Sequence, residues 1–127
     1  MTVTKIFQIK ELAQEFMHNP KIVEQDENVI LGFDYESETG KYYWTGISFL
    51  HTIAWRHTKE SSLDRYMVSS YNYVSVVNDS EWIKDYSDVE NLQLYKHYLV
   101  YFDGYGSYEF ISQNFSAGVD MDLYLQK

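Results

Sequence analysis

Two runs of β-forming residues near the end of the chain, joined by a short loop, constrain the fold more than any other feature. The runs cover residues 96–102 and 107–111, and the loop between them reads Asp103-Gly104-Tyr105-Gly106. Aspartate and glycine tolerate the positive φ angles of tight hairpin loops, so the sequence predicts an antiparallel hairpin here. Residues 98–102 are apolar at every position, which is typical of a strand covered on both faces. We therefore expect this hairpin to lie centrally in a sheet.

Three further segments have the period of β-strands. Residues 29–35 alternate between an apolar face and a face that becomes acidic toward Asp34 and Glu36, which predicts a strand. A polar turn over residues 36–40 and a long strand over residues 42–57 would complete a first hairpin. Residues 71–77 form a third β segment that ends at Asn78-Asp79.

Two helices are predicted beside these strands. Apolar residues at helical spacing predict a helix over about residues 8–18, ending before Pro20: Ile9, Leu12, Ala13, Phe16 and Met17. A short helix with Asp79 or Ser80 as its N-cap follows the third β segment. On this second helix Trp82, Ile83, Tyr86 and Val89 share one side, and Glu81, Asp85 and Asp88 share the other.

The order of these elements predicts a single α+β domain over residues 1–127. Its antiparallel sheet would have five or six strands, with an N-terminal helix and one short inserted helix. A β-sandwich or a partly open barrel with peripheral helices is the alternative. The tail over residues 116–127 stays unassigned, because its alternating apolar residues have no identifiable partner strand.

Composition narrows the functional classes. The chain has no cysteine, which removes disulfides, thiolate metal sites and cysteine nucleophiles. No apolar run long enough for a signal peptide or a membrane span is found, so we expect a cytoplasmic protein. A formal net charge of −9 disfavours nucleic acids and anionic membranes as partners and favours basic ones.

No catalytic or metal site can be assigned from motifs. His51 and His57 would share one face of the strand predicted over residues 42–57, but two histidines without further ligands favour a structural role over a metal site. The loop at residues 103–107 leads into a strand, so it matches neither a phosphate-binding loop nor a nucleophile elbow. Paired carboxylates of a glycosidase type stay open, because their separation is a three-dimensional property. We expect no enzyme activity, no cofactor and no metal.

Two acidic clusters are the most informative functional feature. Residues 24–38 carry six carboxylates without a Lys or Arg, and residues 79–90 carry five, opposed only by Lys84. Such surfaces accelerate association with basic partners, although they also serve solubility. The residues predicted to contact a partner are Asp34, Glu36 and Glu38 of the first hairpin, Glu81, Asp85 and Asp88 of the short helix, and Tyr105 in the last loop.

A resemblance points in the same direction. The segments KHYLVYFDGYGSYEFI and DSEWIKDY resemble parts of small uncharacterised bacterial proteins with an HYLVYFDxYGxYEF type of ending, and some of these are similar to immunity proteins of bacterial toxin systems. The resemblance covers roughly the C-terminal half and implies an inhibitor role without catalytic residues. We therefore expect a non-enzymatic protein that captures a basic partner such as a toxin. The alternative is a small-ligand-binding domain or a hydrolase with an aromatic-lined cleft.

Overall fold

Antiparallel strands dominate the computed structural model, which describes residues 1–10 and 16–125. Within these residues nine strands form a five-stranded sheet, ordered β1-β6-β7-β8-β5, and a four-stranded sheet, ordered β2-β3-β4-β9. The strands are β1 (Thr2–Gln8), β2 (Lys21–Gln25), β3 (Asn28–Glu36), β4 (Tyr42–Leu50), β5 (Ala54–Thr58), β6 (Tyr73–Asn78), β7 (Lys96–Phe102), β8 (Gly106–Ser112) and β9 (Asn114–Asp120). Three one-turn α-helices accompany them: α1 (Arg65–Val68), α2 (Glu81–Lys84) and α3 (Asp122–Leu125). Two 3-10 turns lie at Glu60–Ser62 and Leu92–Leu94.

The predicted fold class, α+β with five or six strands, is therefore wrong. Strand accounts for 52% of the structure and helix for 15%. The sequence underestimated the strand number at the sheet edges. Strands β1 and β2 are mostly exposed and lack a regular apolar alternation. Strand β9 has the alternation, but the sequence did not identify its partner strand. The observed arrangement corresponds to the sandwich alternative.

The prediction of an N-terminal helix is also wrong for the residues that the structure describes. Residues 11–15 of the predicted helix lie outside the described residues. On either side of them, Gln8 ends strand β1, and the backbone N–H groups of Met17 and His18 donate to the Asp34 carboxylate. An inserted helix is present as α2, but it ends at Lys84, and the predicted residues from Asp85 to Val89 lie in turns beyond it. Ser80 is its N-cap, because the Ser80 Oγ accepts a hydrogen bond from the Ile83 N–H at 3.1 Å.

Both predicted hairpins are confirmed. Strand β3 pairs with β4, and β7 pairs with β8 in the centre of the five-stranded sheet. The second strand of the first hairpin is shorter than predicted, however, because the chain turns at His51, whose φ is +53°. Beyond this turn the Thr52 N–H donates to the Glu27 carbonyl, whereas the Ile53 N–H donates to the Ile111 carbonyl. The chain thus passes from one sheet to the other, and His51 and His57 do not share a face.

The two sheets pack over one apolar core. Inward-facing side chains of the four-stranded sheet, such as Phe33 and Phe49, belong to the same buried cluster as Tyr98, Phe102 and Phe110 of the five-stranded sheet. The Phe49 and Phe110 rings are stacked across the two sheets, with centroids 3.8 Å apart and an interplanar angle of 9°. This shared core fixes the position of each sheet relative to the other.

The outer face of the four-stranded sheet is covered by the end of the chain. Gly32 and Gly46 lie directly opposite each other on β3 and β4, and the fully buried Met121 lies over both of them. A Cβ at Gly46 would lie 2.7 Å from the Met121 Sδ. The two glycines therefore create the space that Met121 occupies. The tail that the sequence left unassigned pairs with β4 as strand β9.

Candidate functional site

A buried polar network lies in the five-stranded sheet, and Glu109 of β8 is its centre. Glu109 is fully buried and accepts hydrogen bonds from three side chains. Arg56, directly opposite on β5, donates through Nε at 2.9 Å. The Tyr66 hydroxyl donates at 2.7 Å, and the His97 Nε2 lies 2.5 Å from the Glu109 Oε2. No buried side-chain N or O atom among the described residues lacks a hydrogen-bond partner.

The network keeps Glu109 ionised. Burial alone would raise the pKa of this carboxyl, but the hydrogen bonds from His97, Arg56 and Tyr66 outweigh it, so the pKa lies below its usual value. Burial and the hydrogen bond to Glu109 raise the pKa of the Tyr66 hydroxyl well above its usual value, so this hydroxyl stays protonated. The positive charge of Arg56 is therefore paired with the negative charge of Glu109.

Ser80, His97 and Glu109 form a chain of hydrogen bonds that has the composition of a hydrolase triad. The Ser80 Oγ lies 2.6 Å from the His97 Nδ1. Because Oγ already accepts the Ile83 N–H, its own hydrogen can donate to Nδ1, and the His97 Nε2–H can then donate to Glu109. Ser80 is buried and serves as a helix cap, so its position favours a structural role over attack on a substrate.

An acid-rimmed depression lies on the surface above this network, and we call it the acidic depression. Its volume is about 330 Å³. The half-buried Trp82 and Tyr66 form its aromatic part, and the guanidinium carbon of Arg56 lies 4.1 Å from the centre of the Trp82 ring. Three exposed carboxylates line it as well: Asp64, Glu81 and Asp85. Glu109 balances the charge of Arg56, and the Lys84 Nζ lies 3.3 Å from the Glu81 Oε1. Asp64 and Asp85 have no ion pair among the described residues, so the depression keeps a net negative charge.

The structure brings together only part of the predicted partner-binding set. Glu81, the first residue of α2, and Asp85, its C-cap, both line the acidic depression because residues four apart lie on the same side of a helical turn. Asp88 is exposed beyond the end of α2 but does not line the depression. Glu36 and Glu38 are exposed at the β3–β4 turn of the other sheet. The first hairpin and the helix therefore do not form one site.

The prediction that Asp34 lies on an exposed face is wrong. Asp34 was expected to project into solvent beside Glu36, but it is fully buried. Its oxygens accept the N–H groups of Met17 at 3.0 Å and His18 at 2.8 Å, and the His18 Nδ1 lies 3.1 Å away. The segment at Met17 and His18 covers this end of the strand, so the Asp34 carboxylate is bound internally and is not free to meet a partner.

Tyr105, the predicted contact residue of the last loop, is not fully exposed. It is half-buried, its ring lies 4.9 Å from that of Phe16, and its hydroxyl donates to the Phe16 carbonyl at 3.4 Å. It lines a second concave surface of about 620 Å³, which we call the aromatic cleft. The cleft is also lined by Trp55, His57, Tyr108, Lys59 and Glu60.

The sequence analysis missed the residues that build the network. His97 was not singled out by any motif, and Trp82 was placed on the side of its helix that carries Ile83, Tyr86 and Val89. One signal was available: Glu109 interrupts an otherwise apolar or small-residue strand, and charged side chains in such strands are buried only when they are paired. The identity of their partners depends on strand register, which the sequence does not reveal.

Comparisons of the chain with protein-family models, curated proteins and solved structures give no match. The resemblance to immunity proteins therefore stays a prediction. Within residues 1–10 and 16–125 no group of three or more His, Asp or Glu side chains is placed to hold a metal ion. None of the helices in this part of the chain has the length and apolarity needed to cross a membrane.

Proposed function

We propose that this protein is a non-enzymatic binding protein that captures a basic protein through the acidic depression. The observation that carries the proposal is the convergence of Asp64, Glu81 and Asp85 around the half-buried rings of Trp82 and Tyr66. Interface centres are enriched in such aromatic side chains, and complementary charges at the rim increase association rates. An inhibitor of the immunity type, with a basic toxin as its partner, is the class that we propose.

The construction of the depression supports binding by a preformed surface. Arg56 and Tyr66 are fixed by hydrogen bonds to the buried Glu109. Trp82 contacts both the Arg56 guanidinium and the His97 ring, whose centroid lies 5.2 Å from that of Trp82. Side chains that are already ordered lose little conformational entropy when a partner binds. The exposed carboxylates would provide attraction, and the fixed rings would provide contact area.

The test is a comparison of two charge-reversed variants. Tagged protein captures the partner from an extract of its native cell, and association is followed by surface plasmon resonance at several salt concentrations. Glu81→Lys/Asp85→Lys should reduce the association rate about tenfold or more at low salt and flatten its salt dependence. The thermal midpoint should change little, because both residues are exposed.

Glu36→Lys/Glu38→Lys is the matched control, since it makes the same change in net charge at the β3–β4 turn. Its association rate should fall much less. If both variants slow association equally, net charge rather than the acidic depression attracts the partner. If neither variant changes the rate, the proposal is wrong.

A further inference from the structure

The aromatic cleft is a second concave surface that the proposed function does not use. Its lining comes from strands β2, β5 and β8, from the 3-10 turn at Glu60–Ser62, from the β7–β8 loop and from residues 19–20 and 59. Its volume of about 620 Å³ lies in the usual range of ligand pockets, roughly 300–1,000 Å³. Aromatic rings and charged side chains occur together in its lining.

Contacts with neighbouring protein residues hold the aromatic rings of the cleft in place. The His57 ring is stacked on Tyr108, with centroids 4.4 Å apart and an interplanar angle of 15°, and the His57 Nε2 lies 2.8 Å from the Tyr105 carbonyl oxygen. The Trp55 Nε1–H donates to the Glu24 carboxylate at 2.6 Å. These contacts preorganise the rings without a ligand.

The polar part offers a fixed acceptor and two side chains that have no hydrogen-bond partner in the described part of the chain. One Glu60 oxygen accepts the Gly104 N–H at 2.5 Å, and the Tyr101 hydroxyl donates to the same carboxylate at 2.9 Å. A carboxylate can accept about four hydrogen bonds, so Glu60 retains capacity for a ligand. The side chains of Lys59 and Ser61 also line the cleft and make no hydrogen bond to any residue that the structure describes.

This combination selects one ligand chemistry. A wholly apolar ligand would remove water from Glu60, Lys59 and Ser61 without replacing their hydrogen bonds, which is costly. A phosphorylated ligand would be repelled by the Glu60 carboxylate and by the net charge of −9 on the chain. A neutral sugar ring avoids both costs, because its hydroxyls both donate and accept hydrogen bonds and its C–H faces can pack on aromatic rings.

We propose that the aromatic cleft binds a neutral carbohydrate, with a sugar ring packed against the Trp55 side of the cleft and its hydroxyls bonded to Glu60 and Lys59. The site is separate from the acidic depression, because the two surfaces share no lining residue. Loss of one binding activity would therefore leave the other intact.

The experiment is an NMR titration of ¹⁵N-labelled protein with four neutral probes: cellotetraose, maltotetraose, mannotetraose and tri-N-acetylchitotriose. The chain has three tryptophans, so the indole N–H signals of Trp44 and Trp82 are internal controls. At least one probe should shift the Trp55 signal with a dissociation constant of about 10 mM or lower, while the Trp82 signal stays in place. Uridine monophosphate and indole serve as the charged and apolar comparison probes and should not shift it.

Glu60→Gln should weaken binding of the active sugar about tenfold, because it removes a charged acceptor. Glu81→Gln is the matched control and should bind the sugar normally. Lys59→Met removes a group that makes no hydrogen bond to the described residues, so it tests the cleft even if Glu60→Gln proves unstable, and it too should weaken binding. The proposal is overturned if no sugar shifts Trp55 at about 20 mM, if only a comparison probe does, or if neither cleft variant weakens binding.

Discussion

Replacement of Glu109 by glutamine is the most severe test of the buried network. Glutamine has nearly the same shape as glutamate, but it removes the charge and replaces one acceptor oxygen with a donor. The wild-type carboxylate accepts hydrogen bonds from Arg56, Tyr66 and His97. At the Oε1 position the amide NH₂ group would face the Arg56 Nε–H, which can only donate, and at the Oε2 position Tyr66 and His97 would have to reverse their hydrogen bonds to accept it. In either orientation the Arg56 charge loses its counterion.

The expected cost follows from these contacts. Breaking a buried ion pair by removing one partner costs about 3–5 kcal/mol, because the remaining charge is uncompensated. Arg56 is partly exposed, with 40% of its side-chain surface accessible, so water can recover part of its solvation and the lower end, about 3 kcal/mol, applies. We expect the free energy of unfolding in urea at pH 7 to fall by this amount. Glu38→Gln, an exposed carboxylate at a turn, should cost less than about 0.5 kcal/mol.

The pH dependence gives a second readout of the same variant. The folded-state pKa of Glu109 lies below its ordinary value of 4.5, so its ionised form is favoured by folding. This contribution is complete above pH 4.5 and is lost as the pH falls through the folded pKa. The difference in unfolding free energy between wild type and Glu109→Gln should therefore be constant at neutral pH and become smaller in acid. A loss below about 1 kcal/mol at pH 7, or a difference that does not shrink in acid, would refute the argument.

Two further predictions concern single positions. Gly106 has a φ of +98°, and a Cβ there would collide with the Thr58 carbonyl oxygen, so Gly106→Ala should lower the thermal midpoint strongly. Gly104 has a φ of +84° with open space around it, and Gly104→Ala should cost only about 1–2 kcal/mol; equal midpoints for the two variants would contradict the observed β5–β8 contact. Asp34→Asn should destabilise the protein by about 1–3 kcal/mol in urea unfolding, because it weakens the acceptor for two backbone N–H groups. Glu36→Gln on the same strand should leave the free energy of unfolding nearly unchanged. If Asp34→Asn also left it unchanged, Asp34 would be exposed, as the alternation with Glu36 predicts.

The sequence by itself determined the local structure of several segments. Alternation over residues 29–35, the loop at Asp103 to Gly106 and the continuous apolar run at 98–102 predicted two hairpins and a central strand, and all three are observed. Ser80 was named as one of two N-cap candidates and is the cap of α2. These features depend on side chains only a few residues apart, so the pattern itself contains the information.

Tertiary structure alone decided how the strands are divided between two sheets. Residues 42–57 have a continuous β pattern, yet the backbone turns at His51 because hydrogen bonding passes from Glu27 of one sheet to Ile111 of the other. Asp34 shows the same limit, since alternation predicts an exposed face that the distant segment at His18 covers.

The candidate site depends still more on long-range pairing. Arg56 meets Glu109 only through the register of β5 on β8, and a shift of one residue would place the two charges on opposite faces. Register and sheet packing are set by the whole core at once, so the sequence could predict the strands but not the site that they build.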